Sequence, residues 1–374
     1  MSAAPLSVSM TVEQLWQPVP GGSGTYIREL ASALAARGDI TLSGVRARTP
    51  VTADPRGLPT AMGLHSSALP REVLYESWGR LRLPRVPGPR PDVIHAATWA
   101  IPPRSAPLVV TVHDLAFQRS PEHFTSRGVA FFERALSITR RESDVIVVPS
   151  EATRDDVAAA GIATDRITVI PHGVSAVPVS DEDVAAFRAR HGLHRPYVMW
   201  CGAIEPRKNL GILLDAFAVL VGETDLDLVL AGPDGWGGAA EDLRRRRARL
   251  PADRIRVLGV LSWQDLHTAY AGARVFVFPS LWEGFGMPVL EAHAHGVPVV
   301  TSRETSMAEV VGDGAILVDP LDADDVATAI ATAAGAQHGR LAAAAAANAT
   351  LYSWERCAEQ HVAAYHAAVE RGRR

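Results

Sequence analysis

Only two cysteines occur in the 374 residues, Cys201 and Cys357, and they match no metal-ligand or redox spacing. That excludes a disulfide framework and points to a reducing compartment, with both thiols read as small buried apolar side chains. No apolar run reaches the roughly 18–20 residues that a bilayer-spanning helix needs. Residues 1–10 lack the basic start and apolar middle of a secretory leader, so the protein is expected in the cytoplasm, with contact at the inner membrane face still open. A basic surplus is missing too. Lys and Arg number 37 against 41 Asp and Glu, a formal charge of −4, and a partner neutralising many nucleic-acid phosphates would need the opposite balance. The remaining composition, 47% hydrophobic and 21% charged, excludes disorder and fibrous repeats and leaves a globular protein.

The length suggests two domains at the usual ~100–200 residues each. Short apolar, β-branched runs alternate with longer Ala/Leu-rich stretches carrying charge on one face, the pattern of β-α units building parallel sheets. In the first half, strands are predicted over 8–15, 92–96, 108–113, 144–149 and 166–171, with helices at 25–37 and 131–141. In the second half, strands are predicted over 197–201, 227–231, 254–258, 274–279 and 297–301, with helices near 210–221, 238–249, 262–271 and 288–295. Pro171-His172-Gly173-Val174-Ser175 and the acidic stretch after it read as an exposed connection. This gives domains over 1–177 and 178–350. A final segment, 351–374, has Ser353 placed to cap a helix. The Ala-rich run 341–349 reads as ordinary helix.

The chemistry concentrates at strand ends. Pro279-Ser280-Leu281-Trp282-Glu283-Gly284-Phe285-Gly286-Met287-Pro288-Val289-Leu290-Glu291 follows a strand and opens a helix with Pro288 in its first turn. That is the ligand-facing end of a parallel sheet. Glycines there let backbone amides approach a ligand, and two carboxylates, Glu283 and Glu291, suit the hydroxyls of a sugar and a ribose. Glu291 also fits a plain carboxylate favoured by a helix N-terminus.

Gly202-Ala203-Ile204-Glu205-Pro206-Arg207-Lys208-Asn209-Leu210 lies at another strand end, with Asn209 placed to cap the next helix. Two adjacent cations and helix-start amides make a diphosphate site, with a solvated surface pair the other reading, and fixed cations stabilise a diphosphate leaving group more as its bond breaks. No metal is needed for that.

In the first half, Pro20-Gly21-Gly22-Ser23-Gly24-Thr25-Tyr26 between the first strand and first helix permits close approach to a phosphate, without full dinucleotide-loop spacing; a plain turn is the other reading. Thr111-Val112-His113-Asp114 ends a strand, so His113 either meets a donor hydroxyl or is tied to the backbone. His172 reads as structural. His293 and His295, two apart on one helix, cannot share a face and are assigned no metal. Arg244, Arg245, Arg246, Arg247 and Arg249 form the one dense basic run, either a solvated face or a patch for peripheral contact with anionic lipid.

Together these motifs resemble family 4 of the retaining glycosyltransferases, which have the GT-B fold: α/β, two Rossmann-like domains of parallel sheet facing each other across a cleft. The likeness runs from Pro20-Gly21-Gly22 to the Glu283…Glu291 motif, two Glu with seven residues between. It implies that Arg207 and Lys208 hold the donor diphosphate and Glu291 the ribose. Glu283, beside Gly284, takes the donor sugar together with the amides of Phe285 and Gly286. Gly22 approaches the diphosphate and His113 lies beside the sugar, giving His113, Arg207, Lys208 and Glu283 the catalytic roles. The terminal helix is expected back on the first domain. The family's retention is usually explained by front-face attack, with a departing phosphate oxygen taking the acceptor's proton. The likeness implies a metal-independent hexosyl transfer, with a mannosyl group from GDP-mannose the first choice and UDP-glucose, UDP-N-acetylglucosamine or a deoxysugar donor open. The partners it implies are a nucleotide sugar and a glycan or lipid-linked sugar acceptor, with no cofactor. The acceptor loops are expected within 49–91, rich in Pro, Gly and Arg. A nucleotide-sugar epimerase or hydrolase, a pyridoxal-dependent phosphorylase and a noncatalytic binding protein are the competing classes.

Overall fold

A computed structural model describes residues 4–48, 57–233 and 238–373. The chain divides into two compact units, Met1–Gly173 with Ser353–Arg374, and Val174–Tyr352.

The first unit is built on a parallel sheet of β1 (Leu6–Thr11), β2 (Ile40–Arg46), β3 (Gly63–Ser66), β4 (Val93–Ala96), β5 (Leu108–Thr111), β6 (Val145–Val148) and β7 (Ile167–Val169), in the order β3-β2-β1-β4-β5-β6-β7. Every residue of β4, β5 and β6 is buried, as strands covered by helices on both faces must be. β2 and β3 are not among the strands expected from the sequence. The first half of β2 alternates buried Ile40 and Leu42 with more exposed Thr41 and Ser43, and β3 is a short, largely solvated edge strand. The stretch expected to hold acceptor loops lies outside the described residues over 49–56; further on it holds β3 and the helix Arg71–Arg80.

The first glycine segment is also corrected. Gly21 and Gly22 form the opening turn of the helix Gly21–Ala35 instead of a loop ahead of it. Gly24 packs so closely on Pro20 that a Cβ would stand 2.3 Å from the proline Cβ.

The terminal helix, Trp354–Gly372, belongs to this unit. Ser353 caps it, its Oγ accepting from Arg356 N at 3.1 Å, and the buried face packs on the helix Gly21–Ala35 and on β4, β5 and β6. Gly173 admits no larger residue, because a Cβ would stand 2.4 Å from the Trp354 nitrogen.

The second unit has a parallel sheet of β8 (Tyr197–Cys201), β9 (Asp227–Ala231), β10 (Ile255–Gly259), β11 (Val275–Phe278), β12 (Val299–Ser302) and β13 (Ala315–Val318), in the order β10-β9-β8-β11-β12-β13. The acidic stretch read as an exposed connection is instead the helix Asp181–His191, opened by a Ser180–Asp183 capping box and closed by left-handed Gly192. Of its side chains only Phe187 is buried, so it shows almost no apolar stripe.

In each sheet the winding direction reverses at one place, between β1 and β4 and between β8 and β11. The carboxyl ends of strands at such switch points are where open α/β sheets bind ligands. Among the described residues no helix is long and apolar enough to cross a membrane, and no group of three or more His, Cys, Asp and Glu side chains could hold a metal ion.

Candidate active site

The adjacency of β8 and β11 brings together two motifs more than seventy residues apart. Leu281 N–H, just after β11, donates to the carbonyl of Arg207, just after β8, at 2.8 Å and ties the two loops. Glu283 then meets both cations: Oε2 is 2.6 Å from an Arg207 terminal nitrogen and Oε1 is 3.1 Å from Lys208 Nζ. Ser280 Oγ donates to Oε1 at 3.1 Å, and Ser306 Oγ to the Glu283 carbonyl at 2.6 Å.

The cations are fixed from behind. Arg207 Nε donates to Glu205 at 3.0 Å and its guanidinium lies over Trp282, 5.2 Å from the ring centre. Lys208 is buried, its Nζ 4.6 Å from the Phe278 ring centre and its stem against Gly202. Gly202 has φ +147, and a Cβ there would meet Lys208 Cδ at 2.9 Å. Burial alone would raise the Glu283 carboxyl. Lys208 and Arg207, through charge and hydrogen bonds, outweigh it and bring the group down to about 2. The site therefore holds an ionised carboxylate between two cations.

Beyond Glu283 the backbone turns at left-handed Gly286, φ +92, into the helix Met287–Ala294, with Gly284 and Phe285 buried. Glu291 sits on the second turn and accepts from Tyr270 Oη at 3.0 Å. Asn209 occupies the helix-start position but does not cap it: its backbone is left-handed, and Nδ2 donates to the Pro320 carbonyl at 2.6 Å. A cavity of about 370 Å³ borders Glu205, Asn209, Asp242 and Arg246 but none of Arg207, Lys208, Glu283 or Glu291.

In the first unit, Gly22 is exposed at the start of its helix, where first-turn amides point outward. His113 is tied to the backbone, its Nε2 bonded to the Ala97 carbonyl at 3.0 Å, which requires that nitrogen to donate. Burial pushes this imidazole below the usual histidine range. Tyr26 links the two, standing on the glycine-led helix and packing edge-on to His113 at 4.9 Å.

Beneath His113 runs a chain whose proton directions follow from counting. His361 Nδ1 must donate to the Cys357 carbonyl (2.8 Å), so its Nε2 accepts from Tyr26 Oη (2.8 Å). Tyr26 then accepts from Thr111 Oγ1 (2.9 Å), which accepts from His95 Nε2 (2.8 Å), and His95 Nδ1 accepts from Tyr365 (2.9 Å). His172 is buried beside it, its ring 4.8 Å from Tyr26.

The remaining candidates go separate ways. His293 Nδ1 meets Asn348 Nδ2 at 3.1 Å and His295 Nε2 meets His267 Nδ1 at 2.8 Å. Arg246 is engaged by Asp242 and Asp215, and Arg245 by Asp242. Glu205, Ser280, Trp282, Ser306, Tyr26 and Tyr270 received no role from the sequence. Ser280, Trp282 and Glu205 carried a local signal, standing within three residues of Glu283 or Arg207 in the same segment.

Two doubly wound parallel sheets, with a carboxylate and two cations at the switch point of the second, define a GT-B protein. The chain belongs to glycosyltransferase family 4 and is a glycosyltransferase: the family described as Glycosyltransferase Family 4 matches residues 20–176, and Glycosyl transferases group 1 matches residues 195–335. It is 34% identical to O-antigen chain mannosyltransferase B of Escherichia coli across 73% of this chain and 74% of that protein. It is 28% identical to the MMP alpha-(1->4)-mannosyltransferase of Mycolicibacterium hassiacum, covering 94% and 96%. It is 31% identical to the D-inositol 3-phosphate glycosyltransferase of Geodermatophilus obscurus, covering 94% and 85%. Among solved structures, Anabaena Alr3699/HepE with UDP and glucose superposes with a TM-score of 0.75 at 19% identity over 96% of this chain and 98% of that one, a likeness of fold.

Proposed function

We propose that the chain is a retaining, metal-independent hexosyltransferase that moves a mannosyl group from GDP-mannose to a glycan or lipid-linked sugar. The observation that carries this reading is the Glu283–Arg207–Lys208 cluster at the joined ends of β8 and β11. The mannosyltransferases among the relatives support the choice of sugar.

In this reading Arg207 and Lys208 turn to the donor diphosphate, supplying the positive charge that a metal would otherwise bring, and Glu283 passes to hydroxyls of the donor sugar. Gly284 and the amides of Phe285 and Gly286 complete the sugar contact, and Glu291 takes the ribose. Gly22 is assigned to the diphosphate and His113 to the sugar by family likeness. The acceptor oxygen bonds to the anomeric carbon on the face that the phosphate leaves. The carbon–oxygen bond to the β-phosphate breaks, and the acceptor proton passes to the departing phosphate oxygen. Charge growing on that phosphate is met by cations already in place, so stabilisation is greatest in the transition state. The reading also includes peripheral contact of the arginine run with anionic lipid, for which Arg244, Arg245, Arg247 and Arg249 are the exposed side chains.

The test is a product analysis. The enzyme is incubated in EDTA with GDP-mannose, UDP-glucose or UDP-N-acetylglucosamine and a panel of mannose-containing glycans and lipid-linked sugars, and the new linkage is read by NMR. An α-mannoside formed from GDP-α-mannose without metal is expected. A β-linked product, a need for Mg²⁺, or only free or epimerised sugar overturns the reading; transfer from a uridine donor overturns the mannosyl part alone. Co-flotation with anionic vesicles that persists equally after charge reversal of the arginine run removes the lipid contact.

A further inference from the structure

Tyr270 lies outside every motif of the donor site, on the helix Trp263–Ala271, 21 residues before Glu291. Its side chain is fully buried. The ring is wedged edge-on against Phe276 at 5.2 Å and stacked on His295 at 6.4 Å, so the phenol has one fixed direction. Its oxygen stands 3.0 Å from Glu291 Oε2 and 2.8 Å from Cys201 Sγ. Tyrosine has one proton, and a carboxylate can only accept. The phenol therefore donates to Glu291, and the Cys201 thiol donates to the phenol oxygen. Burial, followed by the neighbouring Cys201 and Glu291, holds the phenol well above its ordinary pKa, and burial pushes the thiol up to about 12. Both remain protonated donors at any physiological pH.

We propose that Tyr270 is a positioning residue for nucleotide recognition: the buried relay Cys201–Tyr270–Glu291 fixes the Glu291 carboxylate in the orientation that receives the ribose hydroxyls of a nucleoside diphosphate. The proposal rests on the reading of Glu291 as the ribose-facing carboxylate. A carboxylate on a helix surface ordinarily rotates about its last torsion, which is broad and poorly restrained. A charge-assisted bond from a rigid donor removes that freedom before the ligand arrives, so less ordering is left for binding to impose. The thiol behind the phenol strengthens the bond by polarising it in the same direction.

The distinguishing readout is the ratio of affinities for a nucleoside diphosphate and its 2′,3′-dideoxy counterpart, measured calorimetrically with GDP and UDP. Global damage lowers both affinities, whereas misplacing Glu291 lowers only the first. The wild type is expected to prefer the ribo form by about tenfold or more, the worth of a charge-assisted hydrogen bond, and Glu291→Ala to lose that preference. Tyr270→Phe keeps the ring and is expected to lose most of the preference with dideoxy affinity unchanged. The double variant is expected to match Glu291→Ala. Cys201→Val moves the ratio in the same direction by a smaller factor and tests the relay independently of any change at Tyr270. Full preference in both Tyr270→Phe and Cys201→Val, with Glu291→Ala having lost it, overturns the proposal and leaves the donor site standing. Full preference in Glu291→Ala, or no binding of either nucleotide to the wild type, overturns the reading beneath it.

Discussion

Glu283 Oε2 and the Arg207 guanidinium stand 2.6 Å apart, joining residues on different loops of the second unit. With Lys208 on the other carboxylate oxygen, the pair sets the charge state of the site. Glu283→Gln keeps the volume and removes the charge, leaving two enclosed cations short of a counter-ion. A stability loss of about 1–3 kcal/mol is expected by chemical denaturation, with kcat/KM falling far more than the stability change explains. Because the folded-state pKa is lowered to about 2, the pair's contribution is fully present above the unfolded value near 4.5 and is lost as pH falls through the folded one. Wild type and Glu283→Gln should therefore converge in stability between pH 4.5 and 2. A gap that stays constant through that range contradicts the pairing.

Arg207 and Lys208 should act on the leaving group. Lys208→Ala is expected to lower kcat by about 10²–10³-fold, the usual cost of removing one fixed donor at developing negative charge, and Mg²⁺ should not restore it. Rescue by metal would show that the cations substitute poorly for one.

The chain of Tyr365, His95, Thr111, Tyr26 and His361 works only with neutral imidazoles. Burial lowers the pKa of His95, His113, His172 and His361, the last to about 4 from an ordinary 6.5. A lowered histidine pKa means that the unfolded chain takes up the proton first. The stability contribution is present above 6.5 and is lost as pH falls toward the folded value. Each such histidine adds up to about 1.4 kcal/mol per pH unit to the slope in that window. Thr111→Val, breaking the chain at its centre, should cost about 1–3 kcal/mol at pH 7.5. Stability independent of pH from 6.5 down to 4 would contradict buried neutral rings.

Gly232 has φ +138, and a Cβ there would stand 2.0 Å from the Gly202 carbonyl oxygen. Backbone cannot swing aside as a side chain does. Gly232→Ala should destabilise the second unit by several kcal/mol, from about 1–3 kcal/mol of backbone strain plus the clash. Gly38→Ala, with open space around it, serves as control. Equal melting temperatures for the two variants would contradict the close approach of the β8 and β9 ends.

The buried strands were readable because parallel strands under helices are continuous apolar runs; β8 and β9 stand at the positions their patterns predict. β3 and the helix Asp181–His191 were not, because neither carries the apolar periodicity of a packed element. The loop residues Arg207, Lys208 and Glu283, and Glu291 on the helix that follows, were legible as types that suit a sugar nucleotide. The family likeness set them around one donor, but the direct pairing of Glu283 with Arg207 and Lys208 was not legible, since it follows from β8 lying beside β11, a crossover invisible in residue order. Tyr26 and Tyr270 are ordinary aromatic residues on amphipathic helices, and only tertiary packing gives their hydroxyls a carboxylate or an imidazole to meet. Asn209 shows the opposite error: the right residue type stands at a helix start, but a nearby carbonyl takes its side chain.

The most direct test is thermal stabilisation of wild type, Glu283→Gln and Glu291→Ala by nucleoside diphosphates and nucleotide sugars in EDTA, because a ligand that binds only the folded state must raise its melting temperature. A rise for wild type with GDP and GDP-mannose is expected. That rise should be lost for both ligands in Glu291→Ala, whereas Glu283→Gln should lose the extra increment that the sugar adds. No stabilisation of wild type by any nucleotide would contradict a donor site at the ends of β8 and β11.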